Sequence, residues 1–217
     1  MNHSKTEFLL LCNKNIAKVI TPPLLKVGSH NVLPKKSARN IGVTFDSTLS
    51  MEQHITNICR SAYHQLYKIS KIKKFLDRPS LERIIHAFVT TRLDYCNGLL
   101  IGVNKNLIAT LQRVQNSAAR LLTGHRIREH ITPVLRNLHW LPVEQHICFK
   151  VNVLAFKCLH GLAPPYLCEL IRPCTPSRDL RTSQQVLLKV PFTASDKVKS
   201  CTFSYVAPTL FNNLPLS

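Results

Sequence analysis

The sequence is short of acid. Only 11 of its 217 residues are Asp or Glu, against 29 Lys or Arg, which leaves a net charge of +18 and a pI near 9.9. Solubility does not need an imbalance of that size, and a polyanionic partner, nucleic acid above all, is its usual reason. The scarcity also restricts the chemistry. The five aspartates, Asp46, Asp77, Asp94, Asp179 and Asp196, include no Asp-Asp or Asp-x-Asp pair. Two-metal phosphoryl transfer needs clustered carboxylates to hold ions about 3.5–4 Å apart, and a local pair is the commonest way to supply them. A glycine-rich phosphate loop, a Gly-x-Ser-x-Gly elbow and a His-Glu-x-x-His pair are likewise missing. No apolar run approaches the roughly 20 residues of a membrane-spanning helix. The first residues, Met-Asn-His-Ser-Lys-Thr-Glu, are polar and unlike a signal peptide, so an intracellular protein of nucleus or cytoplasm is expected, not a secreted one.

What remains is a globular composition, 45% hydrophobic, long enough for one large domain or two small ones. Eight cysteines, at 12, 59, 96, 148, 158, 168, 174 and 201, read as reduced thiols in a chain with no export signal. Cys158-x-His160-x7-Cys168-x5-Cys174 is the nearest approach to a metal pattern, and it lacks the paired knuckles that fold around zinc. His125, His130 and His139 lie near Glu129, but their spacing does not place them on one helical face. They read as loop and helix-end histidines.

The first fifty residues carry short apolar runs, "TEFLLLC" (6–12) and "NIGVTFD" (40–46), between turn-forming segments. These are strand signals. From Leu49 the period changes. Ile55, Ile58, Cys59, Ala62, Leu66, Ile69, Ile72 and Leu76 recur at three and four, with Arg60, Lys68, Lys71, Lys73 and Lys74 on the other faces, as in an amphipathic helix with a basic outer side. Pro79 restarts the chain into a second helix whose core stripe is read as Leu81, Ile84, Ile85, Phe88 and Leu93. Asn104 and Gly124 bracket a third as cap and stop, with Arg113 and Arg120 on its polar side and Arg126 and Arg128 just beyond. "PVLRNL", "VEQHICFKVNVLAFKCLHGL" and "YLCEL" read as further helices. After Ile171, "VLLKVP" and "SYVAPTLFNNLP" read as extended or irregular. The fold class expected is therefore mainly α: a short N-terminal β piece, a helical bundle and an irregular tail.

The heptapeptide "RLDYCNG" (92–98) tests the enzyme reading most directly. Asp94 has no second carboxylate beside it, and Cys96 has no nearby histidine to activate it. The motif is read as structural, with Asp94 and Asn97 satisfying backbone groups, Tyr95 and Cys96 packing, and Gly98 letting the chain bend. The cations carry more. Arg60 to Arg136 holds 14 Lys or Arg against four acids, and helical cations on successive turns can follow a phosphate backbone without reading sequence.

In order, "KTEFLLLCNK", "RNIGVTFDSTLSMEQHITNICRSAYHQLYKISKIKKFL", "IIHAFVTTRLDYCNGLL", "LQRVQNSAARLLTG", "REHITPVLRNLHWLPVEQHICFKVNVLAFKCLHGLAPPYL" and "APTLFNNLP" resemble the C-terminal part of the reverse transcriptase of LINE-type, jockey-like non-LTR retrotransposons. The resemblance covers almost the whole chain. It implies a palm-end β segment at 1–50, a thumb-like helical region at 51–124, a C-terminal helical extension at 125–171 and a tail at 172–217. It also implies that Lys5 takes the place of a palm lysine, and that Asn40, Ile41, Gly42 and Val43 form a primer-grip-like turn. Lys68, Lys71, Lys73, Lys74, Arg113, Arg120, Arg126 and Arg128 would then face the backbone of RNA, DNA or an RNA–DNA hybrid. The complete family polymerase needs magnesium. This chain has neither the first metal-binding aspartate nor the Asp-Asp pair, so the expectation is a catalytically incomplete fragment with no cofactor of its own. The alternative is a structural or interaction module with no nucleic-acid role.

Overall fold

The computed structural model describes residues 6–12, 24–28, 30–174 and 187–215, except for the side chains of residues 196–198. Lys5 lies outside the described residues. The chain groups into two compact units: residues up to Tyr95 with Val103–Val134, and Cys96–Gly102 with residues from Leu135 onward.

The first unit begins with three two-stranded sheets. Strand β1 (Phe8–Leu9) pairs in parallel with β4 (Pro34–Lys35). Strands β2 (Leu25–Val27) and β3 (His30–Val32) form one antiparallel pair, and β5 (Ser37–Asn40) and β6 (Val43–Asp46) another. Within "NIGVTFD" Asn40 ends β5 and the last four residues form β6. Ile41 and Gly42, at φ 45° and 80°, make the turn that joins β5 to β6, and left-handed values at both central residues suit the right-handed twist of a tight hairpin.

The passage from β6 into the first helix is built on one side chain. Asp46 Oδ1 accepts from the Thr48 N–H (3.0 Å), the Thr48 hydroxyl (2.7 Å) and the Ser50 N–H (2.9 Å). Its Oδ2 accepts from the Ser50 hydroxyl (3.0 Å) and the Met51 N–H (2.8 Å). Partial burial works against this charge, but the hydrogen bonds from Ser50 and Thr48 outweigh it and hold the carboxyl at about 2. Leu49 and Met51 sit at φ 52° and 60°, a region that costs a side chain roughly 1–2 kcal/mol. The carboxylate stabilises both.

Helix α1 (Glu52–Ile72) follows, with a 3-10 turn over Lys73–Phe75, close to the span that the period predicts. It buries Ile55, Cys59, Ala62, Leu66 and Ile69. Helix α2 (Arg78–Ile85) continues through a π-helical stretch (His86–Thr90) into α3 (Thr91–Asp94). The π turn explains the one departure from the expected stripe. Leu81, Ile85, Val89 and Leu93 are buried at a constant spacing of four, whereas Phe88 is 48% exposed. A wider turn keeps every fourth residue on one face, where a 3.6-residue turn would rotate it away. Helix α4 (Lys105–Thr123) packs along α1 and is bracketed as expected: Asn104 Oδ1 accepts from the Asn106 N–H (2.9 Å), and Gly124 closes the helix at φ 79°. Leu111, Val114, Ala118, Ala119 and Leu122 form its buried side, each large aliphatic contributing roughly 1.5–3 kcal/mol.

Helix α5 (Ile131–Asn137) carries the chain from the first unit into the second. There a 3-10 turn (Asn97–Leu100) packs on α6 (Val143–Leu159), followed by α7 (Pro165–Cys168), α8 (Asp196–Cys201) and α9 (Phe203–Asn212). Val151, Ala155, Cys158, Ile171, Leu188 and Ala207 form the core. "SYVAPTLFNN" is thus mostly helix, not extended or irregular. Pro208 inside α9 removes a backbone bond, but Ala207 and Pro208 are buried and the packed face offsets that loss. Leu188 is held like a strand residue: Asn212 Oδ1 accepts its N–H and Asn212 Nδ2 donates to its carbonyl, both at 2.9 Å. Gly102, at φ 74°, lies so close to the Ser200 carbonyl that a Cβ there would collide with it.

Replacing Asp46 by Ala should destabilise the protein by about 2–3 kcal/mol, with Asn intermediate, because several buried donors lose an ionised acceptor together. The carboxyl's native value lies below its ordinary 3.8, so its contribution is complete above about pH 4 and is lost as pH falls toward 2. Denaturant unfolding from pH 7 down to pH 2 should show this acid-side loss in the parent and a shallower one in the Ala variant.

Candidate functional site

Two features of the first unit can meet a ligand, and α1 supplies both. The first is its outward face. From Gln53 to Leu76 the chain has five Lys or Arg and no acid. Arg60, Lys68, Lys71 and Lys74 are exposed there. Lys73 is different: it is half-buried, and its Nζ donates to the Leu121 carbonyl at 2.6 Å, fastening the end of α1 to α4. Of the arginines expected on the same surface, Arg113, Arg126 and Arg128 are exposed. Arg120 is half-buried, with Nη2 donating to the Glu129 carbonyl (3.3 Å) and its Nε buried without a partner. Two of the eight expected cations are thus on α1 with their charge outward and a third is on the 3-10 turn that follows it, three more are exposed elsewhere, and two are engaged by the fold.

The second feature is a cleft of about 580 Å³ between the β5–β6 hairpin, α1 and the end of α3. It is lined by Arg39, Gly42 and Thr44, by His54, Asn57, Ile58 and Ser61, and by Thr91, Arg92 and Tyr95. Two guanidinium groups and no carboxylate line it. That is the chemistry of a site for an anion. Arg92 reaches it from the π–α3 segment, held by donation from Nε to the Phe88 carbonyl (3.0 Å) and from Nη1 to the Ser61 hydroxyl (2.8 Å). The Tyr95 hydroxyl donates to the Ile41 carbonyl at 2.7 Å. Its ring lies against Gly42, where a Cβ would come within 3.3 Å of it. The turn at Asn40–Val43 and the "RLDYCNG" motif, far apart in the chain, therefore meet through one phenol.

That motif differs from its expected roles in three details, and the first is that Cys96, expected to pack, is exposed. The residue that bends the chain is Cys96, at φ 54°, and Gly98 is not among the left-handed residues. Asn97 is buried, but its Oδ1 has no hydrogen-bond partner. Nothing local distinguishes Arg39 or His54 as site residues, and Arg92 stands out only as one cation among many.

His54 is 5% exposed, and its Nδ1 accepts from the Thr44 N–H at 3.4 Å. Burial, and then the Arg39 charge, push its pKa below the usual histidine value, so the ring is a neutral acceptor that ties β6 to α1. Among the described residues no group of three His, Cys, Asp or Glu could hold a metal ion, so these residues do not fit a two-metal centre. All eight cysteines are free, and burial pushes the thiols of Cys59, Cys148 and Cys158 up, away from nucleophilic reactivity. No helix among the described residues is long and apolar enough to cross a membrane. Comparison with protein-family models, with curated proteins and with solved structures finds no match to this chain.

Because the native pKa of His54 is depressed, the unfolded state takes up more protons as pH falls. The contribution of His54 is complete above about pH 6.5 and declines below it. Melting temperature measured from pH 7.5 to pH 5 should therefore fall in the parent, and a His54→Gln variant, which keeps an acceptor but cannot titrate, should fall less steeply.

Proposed function

We propose that the chain binds nucleic acid through its phosphate backbone, as the thumb-like part of a LINE-type non-LTR reverse transcriptase would. The observation that carries this reading is the outward face of α1 and of the 3-10 turn that follows it, where Arg60, Lys68, Lys71 and Lys74 are exposed and no acid occurs between Gln53 and Leu76. A face that serves only solubility usually alternates its signs; this one does not. Cations a turn apart on a rigid helix can contact successive phosphates and release their counterions, which gives affinity without sequence preference. RNA, DNA and their hybrid share that backbone. The paired guanidiniums of the cleft next to the Asn40–Val43 turn add a place for one further phosphate, which is compatible with a primer-grip-like role for the turn.

Nucleotide addition is a separate matter. The chain has five aspartates and no adjacent pair, so it offers no local carboxylate pair for two metal ions. On this reading the activity is binding, not polymerisation.

Affinity for a duplex or an RNA–DNA hybrid should fall steeply with salt, at a log–log slope of about 0.9 per phosphate contact. Replacing Lys68, Lys71 and Lys74 together by Gln should lower that slope by about 2–3 and leave melting temperature almost unchanged, whereas Lys73 is spared because it serves the fold. Filter binding across a salt series measures it. Affinity that stays flat with salt, or a slope indifferent to the three substitutions, would remove the proposal.

A further inference from the structure

The basic face of α1 and the 3-10 turn that follows it also carry aromatic rings that the core does not use. Tyr63 is 42% exposed, Tyr67 62% and Phe75 77%. Tyr63 and Tyr67 are one turn apart, with Arg60 preceding them, Lys71 following and Lys74 one turn further on, so cations flank the two rings along one exposed stripe. Two of the cations rest on the rings. Lys71 Nζ lies 4.9 Å from the centroid of Tyr67, and Lys74 Nζ lies 4.8 Å from that of Phe75. Apolar area of this kind, facing water on a charged helix, is otherwise unexplained by the packing.

Resting on the backbone-binding reading above, we propose that the occupant of this stripe is a single strand with unpaired bases. A base offers a π face to each ring, and at Tyr67 and Phe75 its phosphate takes the lysine that covers the ring in the free protein. The charge complement is a polyanion, because no acid interrupts the face from Gln53 to Leu76. The rings select against a duplex. Tyr63 and Tyr67 are about 6 Å apart along the helix axis, whereas bases in a duplex strand are stacked about 3.4 Å apart with their faces already occupied. Only a strand whose bases have come apart can present one to each tyrosine. The cations supply a salt-dependent attraction common to all nucleic acid, and the rings supply a salt-independent preference for the unpaired form.

The test uses the full chain and two fluorescein-labelled probes of equal length, a homothymidine oligonucleotide and a mixed-sequence duplex, followed by anisotropy over a salt series. Replacing Tyr63 and Tyr67 together by Ala should weaken oligonucleotide binding by about 10-fold or more, change duplex binding by less than about 2-fold, and leave the salt slope as it was. Tyr67→Phe should retain binding, and Tyr67→Trp should show its emission quenched by the oligonucleotide and not by the duplex. Both tyrosines are exposed, and circular dichroism of each variant checks that α1 is intact. Salt-dependent binding of both probes that ignores the tyrosines, or that they weaken equally, would overturn this inference and leave the backbone reading standing. Failure of both probes to bind would overturn both.

Discussion

Both candidate surfaces of the first unit depend on how the chain enters α1, and that entry is fixed by the carboxylate of Asp46. Two non-glycine residues there adopt left-handed backbone, a conformation that persists only where surrounding bonds over-determine it. Five donors converging on one side chain do so. The result is a reversal that sets the β5–β6 hairpin beside the helix it precedes. His54 then bonds back to Thr44, and Tyr95 bonds the hairpin turn from the far end of the next helical segment. The cleft is what these three ties leave between them.

The helices were legible wherever hydrophobic period and end chemistry agreed. Asn104 and Gly124 cap α4 as their types require, and the apolar residues of α1 recur at three and four until the chain turns. Legibility failed where a local rule was overridden by packing. Phe88 lies outside the core because a π turn passes its place to Val89, and no propensity announces a π turn. Pro208 reads as a helix breaker, yet α9 runs through it because its buried side is worth more than the bond it loses. The bend at "RLDYCNG" falls on Cys96 although Gly98 is the residue better suited to it.

The candidate site divides along the same line. The cations of α1 were readable because charge and helical period are both local. That Lys73 serves the fold was not, since its partner, the Leu121 carbonyl, lies 48 residues away. The cleft was wholly invisible: Tyr95 and Ile41 are separated by 54 residues, and Arg39, His54 and Arg92 acquire a common purpose only when hairpin and helices meet. Single-sequence reading finds chemistry laid along an element and misses chemistry assembled across several.

The two units also differ in when they can be completed during synthesis. The first needs nothing beyond Val134, so its core can close while later residues are still being added. The second takes its 3-10 turn from Asn97–Leu100 and its last helix from Phe203–Asn212, and Asn212 supplies both bonds that hold Leu188. A ribosome must therefore release the chain through Asn212 before that core can form. Until then the side of α6 that packs on α9 waits uncovered.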